Sequence, residues 1–498
     1  MKRSGIVLPS TPPTSSSPCT AHDQQFVPTD RSRRLGRGHV PKIGRCGINR
    51  YCASSEWSHL MRIAHLLPWY APESWGGTEQ YVAALAASLP RLNAQSTIMA
   101  PSRGAALERY QHEGVPVLRW RVDGGAGAGG FVDCLRESGA EVLHLHGWTP
   151  LCGAAELAEA AAQGVATVVT VHVPSLVCAT GTMLHLGSQP CDRVSSPRRC
   201  ARCWLQSHAV PAPLAALLAA LPESLSAALL NTVPGRLRHL PGARAGMQQR
   251  SEHVLAGLAS ADRVVAVCAW LHRAMLDLGV EASRTVLVRQ ALDAEWLNHL
   301  ADAAPQATRG ACLELAFVGR WDRVKGLHVL IAALRALPTQ ASFRLRVIIA
   351  GATGGIDEAY RTEIMQLIGK DPRFEIVQSL QRHELATMMA SAQVLVIPSQ
   401  WLETGPLVAL EARAVGTFVL ASDIGGLAEI LRGDAGAELV RFDDVTAWTQ
   451  ALQRLLLRRV ELQRFPLAGP IRSSADLARE MLTVYGDAIA SSRLRKSA

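Results

Sequence analysis

The sequence predicts an α/β fold of two Rossmann-like, doubly wound domains that face each other across a cleft. Short apolar runs alternate with stretches whose apolar residues recur at helical spacing, a pattern typical of parallel strands joined by helical crossovers. The alternation breaks at residues 174–250 and at Asp293–Gly310 and resumes after each break. A chain of 498 residues is also too long for one ordinary core. Because open α/β sheets bind ligands beyond the carboxyl ends of their strands, we expect the functional site in the seam.

Local periodicity assigns the elements of the first domain. Strands are expected at Arg62–Leu67, Gln95–Ala100, Val115–Val122, Val142–His146, Ala166–His172, Arg263–Val267 and Thr285–Val288. Helices are expected at Gln80–Leu92, Phe131–Ser138, Cys152–Gln163 and Arg273–Leu278. Asp293–Gly310 is Ala-rich, polar and without periodicity, so we interpret it as a linker or crossing element.

The second domain repeats the alternation. Strands are expected at Leu313–Val318, Leu345–Ala350, Phe374–Val377, Val394–Ile397 and Thr417–Ala421. Helices are expected at Leu327–Leu337, Glu358–Ile368, Arg382–Ser391, Pro406–Val415, Gly425–Leu431 and Val445–Leu457. The predicted organisation is therefore a leader at 1–60, a first domain at 61–285 with an insertion at 174–250, and a second domain at 310–460. A C-terminal segment at 461–498 follows, and its helix Ala475–Ala490 is expected to return towards the first domain.

The leader accounts for most of the net charge. Residues 1–60 hold nine Lys and Arg against three acidic residues, which is +6 of the +9 for the whole chain. The leader is rich in Ser and Pro and has no apolar stretch of secretory-signal type, so we interpret it as a disordered tail or as an extension upstream of the true start. Because the net positive charge is largely confined to this leader, it gives no reason to expect a nucleic-acid partner.

Composition also bears on location. The most apolar stretches, Val165–Leu184 and Pro211–Leu230, are interrupted by His172 and by Pro222-Glu223, so neither predicts a transmembrane helix. The eleven cysteines are an odd number in a chain without an export signal, which favours free, reduced thiols in the cytoplasm.

A basic motif follows the first strand of the second domain. Gly319-Arg320 is separated by four residues from Lys325-Gly326, and a helix is expected next. Glycine permits a tight turn, while Arg320 and Lys325 could reach a common anion beyond the strand end. A diphosphate suits them, because Arg grips two oxygens and Lys supplies a point charge. The alternative is a solvated basic loop.

An acidic motif lies at a helix start. Glu403 comes just before the helix expected at Pro406, and Glu411 lies eight residues further on, inside it. A carboxylate at this position could accept hydrogen bonds from sugar hydroxyls, and the free backbone amides of Thr404, Gly405 and Leu407 would face an anion. Glu411 could bind a ribose diol. The alternative for either acid is a capping or surface role.

Taken together, these motifs resemble the C-terminal half of family 4 glycosyltransferases. The resemblance includes Ser422-Asp423-Ile424-Gly425-Gly426-Leu427-Ala428-Glu429. The first domain is similar too, in Gly76-Gly77-Thr78-Glu79, His144-Leu145-His146-Gly147, Thr170-Val171-His172 and Ala261–Val267. The likeness covers about residues 62–460. It implies the GT-B fold and sugar transfer from a nucleotide donor with retention at the anomeric carbon.

The resemblance also implies roles for individual residues. Arg320 and Lys325 would hold the donor diphosphate, Glu403 the transferred sugar near the reacting carbon, and Glu411 the ribose. Gly77 would pack a loop against the phosphates from the opposite domain, and His172 would lie against sugar and acceptor. The donor-binding set is Gly77, Arg320, Lys325, Glu403, Thr404, Gly405, Pro406, Leu407 and Glu411, and the catalytic pair is His172 and Glu403. No metal is expected for catalysis. The chain departs from the family pattern at Gln290 and Thr404, among others.

Four cysteines have a suggestive spacing in the insertion. Cys178, Cys191, Cys200 and Cys203 lie within 26 residues, and the last two form a Cys-x2-Cys pair. They could form a structural zinc site of four thiolates that braces the loop after His172. The alternatives are free thiols or a redox-sensitive pair.

A second feature of the insertion is its mixture of Leu/Ala runs with basic residues. Pro211–Arg250 contains Arg236, Arg238, His239, Arg244 and Arg250. This composition could place it on an anionic membrane surface. An ordinary helical hairpin with a solvated basic face is the alternative.

The function predicted from these features is transfer of a hexosyl-type unit from a nucleoside-diphosphate sugar to a glycan or lipid-linked acceptor. The setting implied by the resemblance is surface-polysaccharide biosynthesis, in the cytoplasm or peripherally at the inner face of the membrane. Two alternatives remain at this point: a sugar-nucleotide epimerase of the same fold, and a non-catalytic relative that binds sugar nucleotides.

Overall fold

The computed structural model describes residues 59–102, 107–122, 128–303, 312–349, 357–378, 380–459, 461–462, 465 and 469–497. Nearly all of the leader predicted over 1–60 therefore lies outside the described residues. The remaining residues form two α/β lobes that meet along a seam.

The first lobe is built on an eight-stranded sheet. The strands of this lobe are β1 Met61–Leu66, β2 Ala94–Ser102, β3 Leu107–His112, β4 Val115–Arg121, β5 Val142–Leu145, β6 Ala166–Val171, β7 Leu184–His185, β8 Gln189–Pro190, β9 Arg263–Ala266 and β10 Thr285–Leu287. The sheet has the order β10-β9-β6-β5-β1-β2-β4-β3, in which β3 alone is antiparallel, and β7 pairs separately with β8. Every residue of β5 and β6 is buried, as expected for central parallel strands covered on both faces.

Helices cover both faces of this sheet. They are α1 Gly77–Ser88, α2 Ala128–Ser138, α3 Ala154–Ala162, α4 Pro197–Ser207, α5 Ala212–Ala220, α6 Glu223–Thr232, α7 Ala243–Ser260 and α8 Ala269–Leu278. The insertion predicted at 174–250 contains the β7–β8 pair, helices α4 to α6 and the first part of α7. Helices α4, α5 and α7 share a small cluster of their own around Ala201, Leu205 and Ala215.

The second lobe has a six-stranded parallel sheet. Its strands are β11 Leu313–Gly319, β12 Phe343–Ile349, β13 Phe374–Gln378, β14 Val394–Ile397, β15 Phe418–Ser422 and β16 Ala437–Val440, in the order β13-β12-β11-β14-β15-β16. Its helices are α9 Ala294–Ala303, α10 Leu327–Arg335, α11 Glu358–Ile368, α12 Arg382–Ser391, α13 Leu407–Ala414, α14 Gly425–Leu431 and α15 Val445–Leu457. The last helix, α16 Ser474–Ser497, packs on the first lobe, where Leu477, Met481 and Tyr485 are buried.

One interpretation of the sequence was wrong. Asp293–Gly310 was interpreted as a linker or crossing element without periodicity, but Ala294–Ala303 forms helix α9, and residues 304–310 lie outside the described residues. Its buried residues Trp296, Leu300 and Ala303 follow helical spacing and pack against the second lobe. The short strands β3 and β16 were also not predicted, because both are partly exposed strands with few fully buried residues.

Among the described residues, we find no single helix with the length and apolar character needed to cross a membrane. Helices α5 and α6 together pass the same criterion, but they are bent by 103° relative to each other.

Candidate functional site at the seam

The centre of the site is a buried ion pair in the second lobe. Lys325 Nζ lies 2.8 Å from Glu403 Oε1, and Ser399 Oγ donates to the same oxygen at 2.8 Å. The Glu403 side chain is 6% exposed. Burial alone raises the pKa of the Glu403 carboxyl, but the Lys325 ammonium and the Ser399 hydroxyl outweigh it and hold the pKa below its usual value. Glu403 is therefore an ionised acceptor, which is the form that binds sugar hydroxyls.

Glycine makes the approach of the two motifs possible. Gly326 has a φ of +75°, and a Cβ there would lie 1.8 Å from the carbonyl oxygen of Pro398. Any side chain at 326 would push the Lys325 loop away from the end of β14. The turn after Glu403 is also tight, because Gly426 donates its N–H to the Glu403 carbonyl at 2.6 Å.

The residues Thr404 to Leu407 form the start of α13 at the seam. Pro406 is the cap residue, and Leu407 is the first residue of the helix. Gly405 has a φ of +137° and lies against the Gln290 side chain. Thr404 Oγ1 donates to the backbone carbonyl of His172 at 2.6 Å. This hydrogen bond joins the segment before α13 to the first lobe, and the first N–H groups of α13 have no partner within the helix.

His172 is the end of a chain of buried histidines. Its Nε2 lies 3.1 Å from His146 Nδ1, His146 Nε2 lies 3.0 Å from His65 Nδ1, and His65 Nε2 lies 3.2 Å from Ser96 Oγ. Burial lowers the pKa of His65 and of His172 to about 3, so both rings are neutral. A neutral imidazole donates with one nitrogen and accepts with the other, so the tautomer of His172 is linked to that of its neighbours.

His144 lies beside this chain and is anchored separately. Its Nδ1 lies 2.8 Å from Tyr485 Oη in α16, and its Nε2 lies 2.7 Å from Thr170 Oγ1. His65 and His144 are paired in register on β1 and β5. Both ring nitrogens of His144 and of His146 thus have partners inside the first lobe. The contribution of His65 and Ser96 was missed, because nothing local marks them; only the pairing of the strands brings them together.

Glu411 lies apart from Glu403, further along α13. Its Oε1 accepts from Trp296 Nε1 of α9 at 2.9 Å. Burial raises the pKa of Glu411 to about 7, although the Trp296 hydrogen bond and the nearby Arg382 guanidinium oppose the rise. The sequence did not indicate Trp296, since α9 had been interpreted as a linker.

Two predicted donor residues make no contact with the Lys325–Glu403 pair. The Arg320 side chain is 62% exposed and lies 3.3 Å from the Asp322 carboxylate. Gly77 is exposed at the start of α1, and a Cβ added there would meet nothing within 4 Å. The neighbouring Glu79 organises the glycine loop, since its carboxylate accepts from the Gly76 N–H at 3.0 Å and from Ser74 Oγ at 2.7 Å.

The seam is closed by Glu429, a residue of the Ser422–Glu429 motif. Its carboxylate accepts from the backbone N–H groups of Ala269 and Trp270, at 2.8 and 2.6 Å, and lies 3.2 Å from the Arg289 guanidinium. An acid of the second lobe thus caps α8 of the first lobe. Trp270 Nε1 also donates to the Glu403 carbonyl at 2.9 Å.

The four cysteines of the insertion surround one small cavity. Cys178, Cys191, Cys200 and Cys203 all line a cavity of about 50 Å³, and all four thiols are free. Among the described residues, however, the group with three ligand atoms within 4.8 Å of one another is His65, His144 and His146. The sulfurs are therefore spaced more widely than the roughly 3.8 Å of a formed tetrahedral thiolate site. The donor set fits zinc, but the thiols have to move together to bind it.

Comparison with known proteins identifies the two lobes. Residues 76–210 match the family described as Glycosyl transferase 4-like domain, and residues 307–466 match Glycosyl transferases group 1. The two matches together span more than half of the chain. The chain belongs to glycosyltransferase family 4. Its two parallel-sheet lobes are the GT-B fold expected from the resemblance.

Curated relatives of this glycosyltransferase family member include D-inositol 3-phosphate glycosyltransferases. The Stackebrandtia nassauensis protein is 33% identical over 187 residues, which are 36% of this chain and 42% of the relative. The Nocardia farcinica protein is 31% identical over 244 residues, 47% of this chain and 54% of the relative. The alignments thus span about half of the length of these relatives.

Solved structures support the fold. Sucrose-phosphate synthase from Thermosynechococcus elongatus has a TM-score of 0.55 at 19% identity and covers 88% of this chain and 98% of its own. Anabaena HepE in complex with UDP has a TM-score of 0.53 at 13% identity and covers 88% of this chain and 99% of its own. At these identities the likeness shows the GT-B architecture alone.

Proposed function

We propose that the protein is a retaining glycosyltransferase that moves a hexosyl-type unit from a nucleoside-diphosphate sugar to a glycan or lipid-linked acceptor. The observation that carries the proposal is the buried Lys325–Glu403 pair just before α13, next to Thr404, which binds the His172 carbonyl across the seam. Family membership and the UDP named in the HepE structure support the donor class. The proposed setting is surface-polysaccharide assembly at the inner face of the membrane.

In this proposal the chemistry depends on charge. The leaving group is a nucleoside diphosphate whose negative charge grows in the transition state. Lys325 and the free amides at the start of α13 are already in place to stabilise it, and Arg320 needs to turn from Asp322 to join them. Glu403 holds the sugar hydroxyls, and Glu411 takes the ribose in place of Trp296. Retention follows if the leaving phosphate accepts the acceptor's proton on the same face.

His172 is proposed to lie against the sugar and the acceptor. Its Nδ1 has no hydrogen-bond partner among the described residues, and it is not an enclosed atom, so it is the ring's open position. Because the ring is neutral, it can orient a hydroxyl without adding positive charge at the reacting centre. Trp69, which follows β1 and is 55% exposed, offers an apolar surface for the acceptor on the same lobe.

The first experiment identifies the donor. We expect one member of a panel of UDP-, ADP- and GDP-sugars to raise the melting temperature of the wild-type protein, because a ligand that binds only the folded state stabilises it. Transfer assays then use the stabilising donor with glycan, lipid-linked and inositol 3-phosphate acceptors, the last suggested by the relatives' name.

Variants at the pair test the assignment. Glu403→Gln should lower kcat/KM by about 100-fold or more, whereas Glu375→Gln, an exposed acid paired with Arg346, should leave it unchanged. An epimer formed from the nucleotide sugar without acceptor would contradict transfer and indicate the epimerase. Full cellular glycan output with Glu403→Gln would instead indicate a non-catalytic protein.

A further inference from the structure

Helices α5 and α6 of the insertion bury small side chains and expose several of their leucines to solvent. In α5 and α6 the buried residues are small: Ala215, Ala219 and Ser226 are at most 1% exposed. Leu214, Leu217 and Leu225 on the same helices are 45–65% exposed, and Leu237 in the following turn is 70% exposed. An ordinary surface helix buries its leucines and exposes small or polar residues. We call Leu214, Leu217, Leu225 and Leu237 the leucine face.

The exposed leucines are concentrated in one stretch of the chain. Twelve large apolar side chains are exposed among the described residues, and four of them lie within the 24 residues from Leu214 to Leu237. Single exposed leucines are common in monomeric proteins, whereas a contiguous apolar patch indicates a binding surface.

The charges around the leucine face are positive. Arg236, Arg238 and His239 are exposed on either side of Leu237. Residues 211–242 contain one acidic residue, Glu223. Its carboxylate lies 4.0 Å from the Arg244 guanidinium, which offsets its negative charge. Exposed leucines edged by arginines complement the surface of an anionic bilayer, where the phosphates attract arginine and the acyl region takes leucine.

The shape of the segment suits a position along a bilayer. Helix α5 has nine residues and so is about 14 Å long, well short of the ~30 Å hydrocarbon core. The bend of 103° to α6 lays the two helices out as a corner. The buried alanines of α5 pack in the cluster around Ala201 and Leu205, which holds this helix against α4 and α7. Helix α6 packs on α7, and its buried Ser226 donates to the Pro241 carbonyl at 2.9 Å.

We propose that residues 211–242 dock the protein on an anionic lipid bilayer through the leucine face, with Arg236 and Arg238 on the headgroup phosphates. Docking would also bring the seam to the membrane. Helix α4, which packs on α5, contributes Gln206 and Ser207 to a cavity of about 450 Å³ that is also lined by Arg323 and Val324 of the Lys325 loop. This last consequence rests on the proposed function, since it concerns a membrane-borne acceptor, but the docking itself does not.

The test is flotation of the full-length protein with vesicles of phosphatidylcholine alone or mixed with phosphatidylglycerol. We expect binding to the mixed vesicles that weakens with salt. Leu217→Glu with Leu237→Glu should reduce it at least tenfold, because each leucine loses an apolar contact worth about a factor of ten. Leu457→Glu is the matched control, since Leu457 is 84% exposed on α15 of the other lobe. Arg236→Gln with Arg238→Gln should reduce binding to the anionic vesicles only.

Two results would overturn the proposal. One is equal binding by the wild type and the double leucine variant. The other is no vesicle binding together with a dimer in sedimentation experiments that the double leucine variant dissociates, which would make the leucine face an interface between copies. Stabilisation by nucleotide sugar should be the same in all variants, so a failure of docking is distinct from a failure of donor binding.

Discussion

At the scale of single residues, burial and one partner decide the charge of two carboxyls eight residues apart. Glu403 is buried beside Lys325, and its pKa is lowered. Glu411 is buried beside an indole N–H, and its pKa is raised to about 7. A neutral donor stabilises a carboxylate less than an ammonium does, so desolvation dominates at Glu411. The two acids are therefore suited to different tasks before any substrate is bound.

Removing the Lys325 ammonium should make the buried Glu403 carboxylate destabilise the folded state. In the wild type the pKa of Glu403 is lower in the folded state than in the unfolded state. It therefore stabilises the folded state at pH values above the unfolded-state pKa, and this stabilisation is lost as the pH falls through the folded-state pKa. In Lys325→Met the burial of Glu403 is opposed only by neutral donors such as the Ser399 hydroxyl, so we expect a loss of about 3 kcal/mol in the free energy of unfolding at neutral pH and a smaller loss in mild acid. Urea unfolding measures both. The double variant with Glu403→Gln should recover most of the loss, and an equal loss at both pH values would contradict this account.

Glu411 should make stability and ribose binding depend on pH near neutrality. Its folded pKa of about 7 lies above the ordinary value of 4.5, so the folded state binds more protons between the two, and stability falls as pH rises through this range. We expect Glu411→Gln to remove roughly 3 kcal/mol of this pH dependence. Nucleotide affinity should rise as Glu411 ionises, and calorimetry should show that rise in the wild type but not in Glu411→Gln.

At the scale of elements, the insertion has many leucines and alanines but little buried core of its own. Its cluster around Ala201 and Leu205 is small, and the β7–β8 pair has two residues in each strand. The thiols supply a second means of holding it together. Cys203 Sγ accepts from the Leu186 N–H at 3.0 Å, so one of the four sulfurs already contacts the hairpin backbone.

The thiol cavity should bind zinc. We expect about one zinc per chain in protein purified without chelator, since a site of four thiolates binds this ion tightly. Cys203→Ser should lose the metal and loosen the hairpin, seen as faster proteolysis within residues 178–203. Cys134→Ser, which changes a buried thiol of α2, is the control. A metal-free protein in which all four thiols react with a thiol reagent would contradict the zinc site and indicate free cysteines.

At the scale of the whole molecule, the seam is held by few polar contacts. Glu429 caps α8, Thr404 binds the His172 carbonyl, and Leu402 donates its N–H to the Thr182 carbonyl at 3.0 Å. Leu402 and Thr404 flank Glu403 in the sequence, and Trp270 of the capped helix α8 donates to the Glu403 carbonyl, so all three contacts lie close to the Lys325–Glu403 pair. Closure of the lobes and assembly of the site are therefore coupled, and a closed seam would exclude water from the donor.

Glu429→Ala should open the seam. The variant leaves two amides at the start of α8 without their acceptor, so we expect a larger radius of gyration in X-ray scattering for the free protein and a return towards the wild-type value with the stabilising nucleotide sugar. Glu438→Ala, which breaks an ion pair with Arg454 inside the second lobe, should leave the scattering unchanged. The same scattering curve for both variants and the wild type would show that Glu429 does not hold the lobes.

The sequence by itself determined the α/β class, the two lobes, and most strands and helices, because buried parallel strands and amphipathic helices have strong local periodicity. It also determined which motifs bear charge, since Lys325 and Glu403 are marked by their neighbours in the chain. The tertiary structure decided what those groups meet. Trp296 reaches Glu411, Glu429 reaches α8, and Ser96 and His65 reach His172 only through packing of distant segments. Periodicity reports which face of an element is buried, whereas partner choice depends on strand order and lobe contacts, which no local pattern encodes.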